Sequence, residues 1–452
     1  MERRSDQDEG RPSGINSNQL QNSQREDSSR DWWNSLNEGW KAAFKSSVNL
    51  ENEPDDNELE DILNVERIYV YKDPDQVRGI TDLKPLLKLK KLKSLDASSA
   101  KIDRLNDISH LEDLEELHLS STNVNSLESL RKLKKLEHLN ISNTFVQSLE
   151  PLRELVALKY LYISQTKVRD LSPLSDMALL HTLDISYLKV SSLIGVESMA
   201  GLVCLICSGS RITSLEPLRP LRQLQTLYIM NTKVSDLSPL EAIESLITFD
   251  AGDSRVNNIE ALRKMKNLEY LYLVRSDITS LAGLEDLKEL KHLYVSDTLI
   301  SDLVPLASLS KLESLDASRT DIKELRPLFE CTGLKNLTIC NVEINSLKGI
   351  EKMTELNSLM INNTDVTDLS PLAGVTMLQT LDFSYTSVKS VEPLKNLSEL
   401  SYVGMGNTFV KNIAPLNGKT KLLNIFCYNT SVKKEDVEIF MAENSECHID
   451  FY

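Results

Sequence analysis

Apolar residues recur along most of this chain with a fixed spacing. Leu158, Leu161, Ile163, Val168, Leu171, Leu174 and Met177 return 22 residues later as Leu180, Leu183, Ile185, Val190, Leu193, Val196 and Met199. They return 66 residues later as Leu224, Leu227, Ile229, Val234, Leu237, Leu240 and Ile243. Unit starts run from Leu92 to Leu422 in steps of 22, giving 16 units with no insertion. A period in this range means that each unit is one supersecondary element, and that its apolar face is covered only by its neighbours.

The spacing inside a unit predicts its path. Leu161 and Ile163 are two apart, so both point to one side of a short strand. From Val124 the apolar positions step by three, through Leu127, Leu130, Leu133, Leu136 and Leu139. That step fits a 3₁₀ or polyproline-like return and not a 3.6-residue helix. Pro occupies one slot of the return in many units, as at Pro151, Pro173, Pro217 and Pro239, where no backbone donor is needed. The predicted unit is therefore strand, tight turn and non-helical return, with all strands in one parallel sheet on the concave side. Three positions past the second strand residue the units carry Thr (Thr122, Thr144, Thr166, Thr232 and others) or Ser (Ser210, Ser254, Ser276). We expect these hydroxyls to form a ladder between units.

The pattern L-x-x-L-x-(L/I)-x-x-T-x-V-x-D-L-S-P-L resembles the short, 22-residue class of leucine-rich repeats, to which bacterial internalins and a phosphatase regulatory subunit belong. The resemblance implies a horseshoe-class solenoid that binds partners, and a bacterial source. It also gives the Thr slot a meaning, since Asn ordinarily stands there and bonds the backbone of the turns and of the next unit.

The ends depart from the repeat. Residues 1–31 hold few large apolar groups and are expected to be a disordered tail. Residues 32–61 are expected to hold an amphipathic helix and an acidic linker. All three Trp cluster there, and Trp33, Leu36, Trp40 and Phe44 fall on one helix face. That face suits either a cap on the open end of the solenoid or a docking element for a partner. Residues 62–91 read as an N-terminal cap with an irregular first strand near 64–71. The repeats fill 92–430. A cap at 431–452 should contain a helix over Lys433–Glu443 and an edge strand from Cys447.

Composition narrows the function classes. The formal net charge is −16, which disfavours nucleic acid and anionic membrane as generic partners. The polar start lacks an apolar signal region, and no stretch is long enough to span a bilayer. A cytoplasmic monomer is therefore expected, with non-classical secretion left open. The six Cys suit reduced, mostly buried thiols. The motifs G-x-S-x-G, H-E-x-x-H and G-x-G-x-x-G do not occur. The fragment Gly418-Lys419-Thr420 ends like a phosphate loop, but the earlier Gly it needs is Ile413. Glu116, His118 and His138 should lie near one another, too few and too open for a metal. No catalytic residue, cofactor or metal is expected.

The outward strand positions, two, four, six and seven after the first Leu of each unit, carry the most information. Ten of the 13 Tyr fall there, with eight acidic residues, two Arg and no Lys. A 66-residue period relates Asp184, Asp250, Asp316 and Asp382, and likewise Tyr162, Tyr228 and Tyr294. Neighbouring strands should set Tyr270 beside His292 and Tyr272 beside Tyr294, between Asp250 and Asp316. Tyr160 and Asp382 extend the same columns. This acidic, Tyr-rich face fits a non-enzymatic scaffold for protein–protein interaction, with a basic segment as partner. Cross-strand packing of the rings is the competing explanation of the same Tyr residues. An exported bacterial effector or adhesin, binding a host protein or glycan, is the alternative function.

Overall fold

The computed structural model describes residues 29–70 and 79–451. Most of the expected disordered tail, residues 1–28, lies outside them. Among the described residues eighteen three-residue strands pair in chain order, all parallel, from β1 (Arg67–Tyr69) to β18 (His448–Asp450). The sixteen between them begin at Ser94 and recur every 22 residues to Asn424, the register read from the sequence. Leu117, Leu139, Leu161 and their equivalents point inward and are fully buried, so the core is one continuous column.

The return path is 3₁₀ in most units, as at Glu128–Leu130, Glu150–Leu152 and Ser238–Leu240. Many of these helices start on Pro, whose fixed φ and missing N–H suit a first turn. Gly takes the Pro slot in three units and reverses the local backbone. Gly195, Gly283 and Gly349 have φ of 102°, 104° and 105°. Each N–H bonds the Glu two residues on, at 2.7 Å for Gly195 to Glu197.

Among the described residues the expected hydroxyl ladder does not form. Thr122 Oγ1 donates to the carbonyl of Leu119 at 2.7 Å, three residues back in its own unit. Thr144, Thr232, Thr298 and Thr408 repeat that bond. A hydroxyl on a two-atom stem is too short to reach the next unit, so it closes its own turn. Ser210 Oγ is buried with no partner among the described residues. Main-chain bonds join the units instead. The residue seven after the first Leu is left-handed in every unit, with Asn in six of them and Gly209 in one. Its N–H reaches the following unit, as Asn143 does to the Ser164 carbonyl at 2.8 Å.

The ends differ from expectation in detail. The helix predicted over the Trp cluster is two helices, α1 (Ser29–Ser35) and α2 (Glu38–Ser47). The break falls at Leu36-Asn37, where the Asn37 side chain caps α2 by accepting from the Trp40 N–H. Residues 29–31, expected as tail, already belong to α1. The acidic linker, expected over residues 51–58, runs at its end into helix α3 (Asp56–Leu63), with Asp55 and Glu58 forming a capping box. Trp33, Trp40 and Phe44 are essentially fully buried. The indole of Trp32 donates to the Pro85 carbonyl and that of Trp40 to the Asp82 carbonyl, so this face closes the end of the solenoid. At the other end α4 (Lys434–Glu443) covers the last return, and β18 pairs with Asn424–Phe426.

Candidate binding face

Strand alternation sends the residues two and four after the first Leu of each unit outward, on either side of the buried Leu. The strands end there. The residue six after the first Leu lies in the turn and is half-buried or buried, as Ser186, Ser318 and Ser384 are. The open face is thus two strand columns with the left-handed residues along one rim. It is narrower than the four columns expected.

The aromatic groups meet as the register predicts. Tyr270 pairs with His292 and Tyr272 with Tyr294. The Tyr272 and Tyr294 rings stack at 4.9 Å between centroids and 1° between planes, and Tyr270 stacks on His292 at 4.8 Å and 10°. Tyr160 stacks on His138 at 4.4 Å, one strand before, and meets His181 at 5.5 Å. Cross-strand packing is therefore real, and it fixes the rings without covering their outer edges. Tyr162 borders Asn140 and Asp184; Tyr228 borders Ile206 and Asp250. Burial pushes the phenols of Tyr162, Tyr228 and Tyr272 above their ordinary range, so they remain neutral hydrogen-bonding groups.

The carboxylates have a structural task that sequence reasoning missed. Asp250 Oδ1 accepts the N–H of Gly252 at 2.9 Å, closing the turn that leaves the strand. Asp184, Asp316 and Asp382 do the same for Ser186, Ser318 and Ser384. The signal was the residue two further on, Ser or Gly in all four units, which makes an Asx turn. Burial raises the Asp250 carboxyl above its usual range, against the opposing pull of the Gly252 N–H. A second oxygen remains on each carboxylate. Asp250 and Asp316 bracket the Tyr272–Tyr294 pair, in register on the flanking strands. Asp382 stands three units beyond Asp316, beside Met360 and Gly404 and apart from this cluster.

Both Arg of the face are neutralised locally. Arg275 binds Asp253 through two bonds at 2.6 and 2.7 Å, and Arg319 grips Asp297 in the same way. Ser94 donates to Glu116, and His138 stacks on Tyr160; among the described residues no group of three His, Cys, Asp or Glu could hold a metal. The thiols are all free, and burial pushes Cys331 up to about 11 and Cys427 to about 12. Lys419, the residue of the rejected phosphate loop, is buried in an apolar slot. It donates to the carbonyls of Lys395 and Leu397 at 2.9 and 2.8 Å.

Comparison with known proteins agrees with this architecture. A family model described as leucine-rich repeats (2 copies) matches residues 112–154. No curated protein sequence matches the chain. Among solved structures, an internalin from Listeria monocytogenes is 21% identical, with a TM-score of 0.60 over 82% of this chain and 95% of that one. A Leptospira interrogans leucine-rich-repeat protein is 20% identical, with a TM-score of 0.77 over 82% and 100%. A plant peptide hormone receptor in complex with RGF2 is 18% identical, with a TM-score of 0.66 over 80% and 63%. Among the described residues no helix is long and apolar enough to cross a membrane. Repeat period, sheet register and these likenesses converge: the chain folds as a leucine-rich-repeat solenoid with a 22-residue period.

Proposed function

We propose that this solenoid is a non-enzymatic scaffold that binds a basic protein segment along its outward strand columns. The observation that carries the reading is the row Asp250, Tyr272, Tyr294, Asp316 on four neighbouring strands. Two stacked phenol rings offer a rigid apolar surface with polar tips, and a carboxylate stands at each end of it. Holding the rings by stacking lowers the ordering cost on binding. A Lys or Arg side chain can reach either carboxylate while its methylene stem lies on a ring. The plant receptor of the same fold is described in complex with RGF2, which supports a peptide-sized occupant. Six free thiols support a reducing, cytosolic location. Two of the similar structures come from bacteria, which supports a bacterial source.

Asp→Asn substitutions separate binding from folding, because Asn140 already makes the same turn bond, to Ser142 at 3.0 Å. Partners are captured by affinity purification and their basic segments assayed as peptides. Asp250→Asn with Asp316→Asn should leave the circular dichroism of the protein unchanged and should not lower its melting temperature. It should weaken a captured basic peptide about tenfold or more, as should Tyr272→Ala with Tyr294→Ala. Unchanged affinity in both variants removes this site.

A further inference from the structure

The ninth residue after the first Leu of each unit forms a column along the lateral edge, outside the sheet. In five consecutive units it is Lys167, Lys189, Arg211, Lys233 and Arg255, all exposed. In the next five it is Asp277, Leu299, Asp321, Glu343 and Asp365, also exposed. The sign changes between the eighth and ninth of the 16 units, at the midpoint of the array. The backbone holds the column in step with the sheet: the Arg211 N–H bonds the Val190 carbonyl at 3.0 Å, Lys233 bonds Ile212 at 3.1 Å, and Asp321 bonds Ile300 at 2.9 Å.

Five like charges at the spacing of successive strands repel one another. Among the described residues none of the five pairs with a carboxylate of this chain; Lys167 lies over the Phe145 ring instead, at 4.7 Å. On the acidic half only Glu343 has an ion-pair partner among the described residues, Lys323 at 3.2 Å. Elsewhere the chain joins neighbouring units by ion pairs, as in Lys335–Glu313 and Lys421–Glu399. The edge column segregates its charges instead.

We infer that this edge docks on the same edge of a second copy, antiparallel, about a two-fold axis at the array midpoint. That operation exchanges unit n with unit 17 − n, for the 16 units of the chain. It sets Lys167 against Asp365, Lys189 against Glu343, Arg211 against Asp321 and Arg255 against Asp277. Lys233 meets Leu299, so no pair in the column is like-charged. An isologous contact makes each pair twice. The neighbouring outer residues at the centre, Thr213, Ser235, Asn257, Thr279 and Ser301, are uncharged and permit close approach. Three like pairs arise three residues further along the chain: Asp236 with Asp302, Asp170 with Asp368 and, at the ends of the array, Arg104 with Lys434, whose ammonium already pairs with Glu438. Each of those carboxylates is already bonded to its own turn. A separate acidic partner would suit the basic half alone and leave the acidic half unexplained; a second copy suits both. The contact leaves the outward strand columns open and is independent of what they bind.

Sedimentation velocity on the full chain over a range of concentrations and salt is the test. The wild type should dimerise and dissociate as salt rises. Arg211→Asp and Asp321→Arg should each raise the dimer dissociation constant about tenfold or more, because each places two like pairs in the contact. The double variant carrying both changes should return to within about threefold of wild type. Circular dichroism checks that the exposed substitutions leave the fold intact. A wild type that remains monomeric at low salt, including one that instead binds a polyanion such as polyphosphate through the basic half, overturns the inference. So does a double variant that stays as weak as the singles.

Discussion

Asp250 divides its work between its two oxygens. Oδ1 closes the turn to Gly252, and the other oxygen, which takes no part in that bond, belongs to a residue in register with Tyr272. Partial burial raises its carboxyl, so folding takes up a proton between the unfolded value near 3.8 and the higher folded one. The stability this contributes is complete below the unfolded value and is lost as pH rises through the folded value. Asp250→Asn keeps the turn bond and removes the titration. We expect the variant to gain on the wild type from acid to neutral pH by under about 1 kcal/mol, because the carboxylate still reaches water. Urea midpoints for both proteins between acid and neutral pH check it; a constant difference would refute the assignment. At this scale the sequence showed that the residues on either side of the buried Leu face outward, and it overstated the width of the face by placing the turn residues on it. It did not show that five of the acids, Asp96 among them, cap turns, because an Asx turn depends on backbone direction as well as on residue type.

The three Gly-for-Pro units show how one slot accepts opposite conformations. Pro holds φ negative and starts a 3₁₀ turn, whereas Gly195 sits at φ 102° and sends its N–H to Glu197. A Cβ on Gly195 would lie 2.6 Å from the Leu171 carbonyl oxygen. Gly195→Ala should therefore cost about 2 kcal/mol or more, while Pro217→Ala in a 3₁₀ unit should cost about 1 kcal/mol or less. Urea unfolding of the two variants compares them directly, and equal losses would discard the steric argument. The strands were legible from the two-residue spacing of Leu161 and Ile163, and the returns from the step of three. The split of the Trp helix was not. Trp33, Leu36, Trp40 and Phe44 fit one continuous face, and only the docking of α1 and α2 against residues 82–85 makes the break at Asn37 favourable.

A solenoid is a one-dimensional array, so damage at one end should stay there. Trp40 is 1% exposed and seals the first turns together with Phe44. Trp40→Ala should cost about 3–5 kcal/mol locally. Hydrogen exchange should then show protection lost around β1 and the strand Ser94–Asp96, and kept at Tyr402–Gly404 and Asn424–Phe426. Loss spread evenly along the array would mean that the units fold as one block. The global charge of −16 also takes on a position at this scale. The outward columns are acidic around neutral Tyr pairs, and the lateral edge is basic in one half and acidic in the other.

The sequence by itself determined the period, the number of units, the strand register and the buried columns. A 22-residue repeat with two inward residues on its strand has one way to stack. Tertiary structure decided what local pattern leaves open: that the Thr hydroxyls close their own turns, that stacking fixes the Tyr rings, that Asp253 and Asp297 neutralise Arg275 and Arg319, and that the Trp face is buried. Each depends on distances between residues about one period or more apart, or on how far a short side chain can reach. Spacing along a chain specifies which residues become neighbours, and three-dimensional packing specifies which of those neighbours bond.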